Sequence, residues 1–181
     1  MIDNFILEEI RTFCERHVSP KIKLQLPNDE DLMDYRLVHP KALIGWIPHP
    51  NYPEDLLLEL PSVMKKAVPA MVIGMDEGDD DGKDAGIAAR ITFMVFNPGT
   101  YLAPGQLSTD GKGYQDLLNL MHICRSELAK SYLIGDGKTA AQKPFRWGVY
   151  QKQAADYWIG WLTFRATAVV LPLMTKENLN F

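Results

Sequence analysis

Ile2, Phe5, Ile6, Ile10 and Phe13 recur at the spacing of one helix face, with Asp3 or Asn4 able to cap and Glu8 and Glu9 near the positive end. This predicts an amphipathic first helix. Residues 18 to 62 lose that period, because Pro20, Pro27, Pro40, Pro48, Pro50, Pro53 and Pro61 interrupt every run. Only short extended pieces such as "YRLVH" and "ALIGWI" survive, so the segment reads as a proline-rich, irregular arm with one or two short strands. From Pro69 the period becomes two. "AMVIGM" is one strand and "IAARITFMVF" another, in which Ile87, Ala89, Ile91, Phe93 and Val95 share a face while Arg90 and Thr92 point the other way. The acidic residues 74 to 86 between them read as a long, solvated hairpin loop.

"NPGTYLAPG" is turn chemistry. Helical spacing then returns from Tyr114 to Leu133 through Leu117, Leu118, Met121, Cys124 and Leu128. "GDGK" ends that helix with its glycines in the left-handed conformation, and "FRWGVY" makes a short strand. The longest strand is "YWIGWLTFRATAVVLPL", with Leu162, Phe164, Ala166, Ala168 and Val170 inward and Thr163, Arg165 and Thr167 outward until Pro172 stops it. Residues 173 to 181 remain as a tail. Hairpin-linked strands with a helix between them are most economically an antiparallel sheet carrying both long helices on one face. The expectation is a single α+β domain over residues 1 to 181, with Phe93, Leu128, Leu162 and Phe164 buried where sheet and second helix meet.

A chain of 181 residues with 46% apolar residues can bury one substantial core. The formal net charge is −4, and the stretch from Asp76 to Asp84 alone holds six acids and one lysine, so the acidity is local. No basic stripe with interleaved aromatics is present, which argues against sequence-specific nucleic-acid binding. The N-terminus lacks the basic region of a signal peptide, and no run approaches the roughly 20 apolar residues of a membrane span. Cys14 and Cys124 both fall on apolar helix faces, so reduced thiols in a cytosolic folding environment are expected.

The candidate chemistry is sparse. An EF-hand register puts Glu77, Asp79, Asp81 and Gly82 in the early ligand positions, but the twelfth position, which needs a bidentate Glu, is Ala88. Those three acids are therefore weak metal candidates, and no cofactor is expected. "GDGKT" lacks the earlier glycine of a P-loop, since Tyr132 stands there, and it follows a helix rather than a strand. His17, His39, His49 and His122 show no metal-like spacing. No acid, base and nucleophile converge, which points to an assembly or interaction protein rather than an enzyme.

The run "DYRLVHPKALIGWIPHPNYP", residues 34 to 53, resembles the tail-terminator or tail-completion proteins of Mu-like and related long-tailed phages, where a short strand, a His-Pro turn and a small-apolar strand precede a Tyr-Pro turn. The order that follows is similar too: "AARITFMVF", a helix after a Gly-Tyr pair in "GKGYQDLLNLMHICRSEL", "PFRWGVY", and a last strand opening "YWIGWLTFRATAVV". The likeness spans roughly residues 1 to 172 and lies in the order of parts. The acidic stretch and "GDGKTAAQK" are larger than a minimal member needs. The resemblance implies a homo-hexameric ring that caps the tail tube, stops its growth and presents a surface for head or neck attachment. Its partners would be the tail tube protein, a sheath protein if the tail contracts, and neck connectors. Its place would be the virion, after assembly in the host cytoplasm.

In that light Trp46, Tyr52, Tyr101, Trp147 and Tyr150, at turns and strand ends, serve either an interface or a satellite core. Asp79, Asp80 and Asp81 would form a repeated negative rim. Three other readings share parts of this pattern: another head-tail connector, tail tube or baseplate protein; a binding module unrelated to phage; and a hydrolase using the acidic stretch with a divalent ion.

Overall fold

The first helix, α1 (Ile2–Phe13), turns Ile6, Leu7, Ile10 and Phe13 inward, while Ile2 and Phe5 of the expected stripe stay exposed. It runs on through a π-helical turn, Cys14–Val18, whose wider i→i+5 turn leaves both Cys14 and Val18 in the core, and a 3-10 turn, Ser19–Lys21, that carries Pro20. The computed structural model describes residues 2–28, 36–47, 66–80, 85–103, 106–108, 110–151, 153 and 156–168. Tyr52, Asp81 and the 173–181 tail lie outside these, as does much of the proline-rich arm.

The described part of that arm supplies three short strands. β1 (Leu24–Leu26) and β2 (Arg36–Val38) pair with each other, and β3 (Lys41–Ile44) joins the main sheet. The main sheet continues with β4 (Ala70–Asp80) and β5 (Ala85–Phe96). A small ribbon, β6 (Thr100–Ala103) with β7 (Gln106–Ser108), leads to α2 (Lys112–Lys130). The chain closes with β8 (Leu133–Ile134), β9 (Thr139–Val149) and β10 (Tyr157–Ala168). The sheet order is β3-β4-β5-β10-β9-β8, antiparallel throughout except for the parallel β3–β4 pair. This is a single-domain α+β fold with a mainly antiparallel sheet and, among the described residues, two α-helices.

The two described α-helices pack on one face. Ile87, Ala89, Ile91, Phe93 and Val95 of β5 and Leu162, Phe164 and Ala166 of β10 meet Ile6, Ile10, Leu117, Leu120, Met121, Cys124 and Leu128 in one cluster. Phe93, Leu128, Leu162 and Phe164 are all buried, as the alternation predicts. On α2 the stripe is turned slightly: Leu118 is exposed and Leu120 buried. A smaller cluster on the opposite face gathers Ile47, Val72, Met94, Phe96, Tyr150 and Ile159.

Three expectations need correction. Residues 74 to 86 are not a long loop, because β4 runs to Asp80 and β5 resumes at Ala85, with Asp79 paired to Gly86 and Glu77 to Ala88. Across this end of the ladder, which is rich in poor β-formers, Arg165 of β10 reaches over β5 to bond Asp79, passing Gly86, where a Cβ would stand 2.8 Å from that guanidinium. β9 is far longer than "FRWGVY", since buried Thr139, Ala140 and Ala141 extend it back to β8. Gly135 and Gly137 are left-handed, with φ of 64° and 81°, but they form the β8–β9 turn and do not end α2.

Candidate interaction surface

The acidic half of β4 is built around two arginines on the face opposite the helices. The ladder shifts between Met75 and Glu77, and the Asp76 carboxylate beside this bulge receives Arg90. Arg90 Nε donates to Asp76 Oδ2 at 3.2 Å, its Nη2 donates to Oδ1, and its Nη1 donates to the Ile47 carbonyl at 3.0 Å. Arg90 is only 4% exposed, so it gives up hydration for a forked pair plus a backbone acceptor. Beside it, burial raises the Tyr150 phenol above the usual tyrosine range, while bonds with Thr92 and Arg90 pull it back. Tyr150 is 2% exposed and takes the core role of the two open to it.

Two strands away, Arg165 Nη2 donates to Asp79 Oδ2 at 2.9 Å and Nη1 donates to Oδ1. Of the metal candidates, Glu77 is exposed at the strand surface, and Asp79 has this guanidinium for its positive partner. Among the described residues no group of three His, Cys, Asp or Glu side chains is placed to hold a metal ion. Asp80 is exposed near the strand end.

The "GDGKT" segment also finds its use in the fold. Glu9 of α1, only 8% exposed, accepts the Asp136 N–H at 2.7 Å, and a Cβ on Gly135 would lie 2.1 Å from Glu9 Oε2. Arg16 Nη1 donates to Asp136 at 3.0 Å on the outside. A carboxylate therefore holds the turn where a phosphate-binding loop would present its N–H groups to an anion. Cys14 and Cys124 meet in the core; the hydrogen bond between them, and then burial, push the Cys124 thiol well above the usual thiol range. The thiol pair is thus suited to packing, not nucleophilic attack.

The hollow at the start of α2, lined by Asn97, Asp110, Lys112 and Trp158, spends its polar groups internally. Asn97 donates to Asp116 at 2.7 Å, Thr100 donates to Asp110, and Lys112 pairs with Asp110 at 3.2 Å.

Besides apolar residues exposed on α1, β2, β6 and α2, such as Leu37 and Leu102, exposed apolar side chains gather at both flanks of the main sheet. On the β3 flank Leu43, Ile44 and Trp46 are exposed, Trp46 by 54%. On the β8–β9 flank Tyr132, Leu133, Trp147 and Val149 are exposed, Trp147 by 50% with Arg125 of α2 stacked 3.7 Å from its ring centre. Tyr101 lies on β6, apart from both. The sequence singled out Trp46 and Trp147 but missed Arg90, Arg165 and Glu9. Its signal for the arginines was a lone charge inside an otherwise apolar strand, which needs a partner across the sheet. No protein-family model and no curated protein matches this chain.

Proposed function

We propose that this chain is a structural subunit of a long-tailed phage, one that closes into a ring on the end of the tail tube, ends its growth and offers the surface to which the head or neck attaches. One observation carries the reading: a single sheet exposes large apolar side chains at two opposite and unlike flanks, Leu43, Ile44 and Trp46 on one and Tyr132, Leu133, Trp147 and Val149 on the other. A subunit in a closed ring touches each neighbour with a different surface, a heterologous contact that closes by rotation, and it needs two such patches. A subunit of a two-fold dimer needs only one.

The phage assignment rests on the resemblance of parts in chain order, and the helix, arm, hairpin, helix, hairpin succession of the fold is compatible with it. On this reading the partners are further copies of the chain, the tube protein, a sheath protein in a contractile tail, and the neck. The protein then resides in the virion after assembly in the host cytoplasm.

The test is the native mass of the purified protein by light scattering, with negative-stain images. Closed rings of about six copies are expected. Open tubes would assign the chain to the tube itself, and a stable monomer would favour a binding module.

A further inference from the structure

How neighbouring copies would join depends on the backbone edges of the sheet and the charges along them. β9 has β10 along one side, yet on its other side β8 reaches only Thr139 and Ala140, with one more bond from the Ala141 N–H to the Tyr132 carbonyl at 2.9 Å. From Gln142 to Val149 no described strand lies outside it. At the far side of the sheet β3 pairs with β4 only from Ala70 to Ile73, closed by the Gly45 N–H on the Ile73 carbonyl at 2.9 Å. Trp46 and Ile47 still line a hollow with Gly74, Met75 and Asp76, and from Glu77 to Asp80 no described strand pairs with the outer side of β4.

The two edges, uncovered among the described residues, are matched in direction and charge. β4 is antiparallel to β5, β5 to β10 and β10 to β9, so β4 and β9 run oppositely. In an array of copies facing the same way, β9 of one therefore meets β4 of the next as an antiparallel pair. The open part of β9 exposes Lys143 and Arg146, and the β4 side exposes Glu77 and Asp80. Pairing β9 with a second β9 sets like charges opposite each other, and Pro144 withholds an N–H there, which together disfavour self-pairing.

We propose that neighbouring copies join by antiparallel pairing of the β9 edge, Gln142 to Val149, with the acidic β4 edge of the next copy, Lys143 and Arg146 facing Glu77 and Asp80. This rests on the ring reading above. β8 covers β9 at the end nearest the β4–β5 connection, whereas β3 covers β4 at the opposite end, so paired copies are staggered by a few residues, on the order of 10 Å at about 3.4 Å per residue. A ring absorbs such a stagger when its strands tilt from the axis, as the shear of a closed barrel does.

The test is charge exchange, read by light scattering across a dilution series with circular dichroism as the fold control. The double variants K143E/R146E and E77K/D80K should each raise the concentration at which rings dissociate about tenfold or more, and the fourfold exchange should recover most of the loss. Asp76 and Asp79 are left unchanged so that their pairs with Arg90 and Arg165 stay in place. Rings that keep their strength in both double variants overturn the edge pairing and leave the ring standing; a wild-type monomer overturns the ring and the pairing with it. Should a variant misfold, hydrogen exchange on the wild type decides the matter: amides from Arg146 to Val149 should gain protection on assembly, and unchanged exchange there refutes the pairing.

Discussion

Replacing Asp76 by Asn should destabilise the protein more than replacing Arg90 by Met, although both remove the same ion pair. The asymmetry follows from where each charge is left. The Arg90 side chain is 5% exposed and that of Asp76 26%. Without Asp76 the guanidinium keeps its charge and the Ile47 carbonyl but has no counter-ion, and stranding a buried charge costs about 3–5 kcal/mol. Without Arg90 the Asp76 carboxylate can rehydrate through its exposed quarter. The Ile47 carbonyl then loses a donor, and Met fills most of the space, so the expected cost is about 1–3 kcal/mol. In a chain of this size 1 kcal/mol moves Tm by about 2–4 °C. D76N should therefore lower Tm by roughly 6–20 °C and R90M by roughly 2–12 °C, with the double variant costing less than the sum of the two. Urea unfolding followed by circular dichroism, at a concentration where the assembly state is the same for all variants, measures the order. R90M proving worse than D76N, or both falling below about 1 kcal/mol, would refute the account of Arg90 as a buried charge dependent on Asp76.

Two further outcomes test the core. Phe164 is 4% exposed and stands edge-on to Phe145 with centroids 5.9 Å apart, so F164A should cost about 3–5 kcal/mol in the same urea assay, and a cost under about 1 kcal/mol would mean its ring is not in the core. Cys14 and Cys124 should resist a thiol-specific reagent at neutral pH in the native protein and react at once in denaturant, since both are buried and the Cys124 thiol is shifted upward; rapid native labelling would contradict this.

The alternation of apolar residues in β5 and β10 was legible because one face of each strand had to be buried, and a period of two leaves only one register that buries it. The turned stripe of α2 was less so: Leu117, Leu118, Leu120 and Met121 are all apolar, and neighbours in sequence differ by only about 100° around the axis. The acidic end of β4 misled for a different reason. Its glycines and acids speak locally for a loop, while the chain around it pairs with β5 and meets Arg165, 86 residues from Asp79. Glu9 likewise looked like an ordinary acid near a helix start until the β8–β9 turn, 127 residues on, folded against it. Local composition reports local preference, and cross-sheet arginines and helix-to-turn carboxylates are not local.

These long-range pairs also divide the acidic strand into two kinds of charge. Asp76 and Asp79 are answered inside the subunit by Arg90 and Arg165, one from each of the two strands that follow β4 in the sheet. Glu77 stands exposed between them at the strand surface, so adding a cation beside it relieves repulsion that the subunit itself has only partly offset. If Lys143 or Arg146 of a neighbour supplies that cation, assembly and the order of the β4 end are coupled, and added salt works on the two differently. Exposed charges at the joint are screened over about 8 Å at physiological ionic strength, whereas the part-buried Arg90–Asp76 pair is screened less. Rings should therefore loosen with salt while the subunit fold persists, and a subunit that unfolded at the salt concentration where rings come apart would show that the two sets of charges are not separate after all.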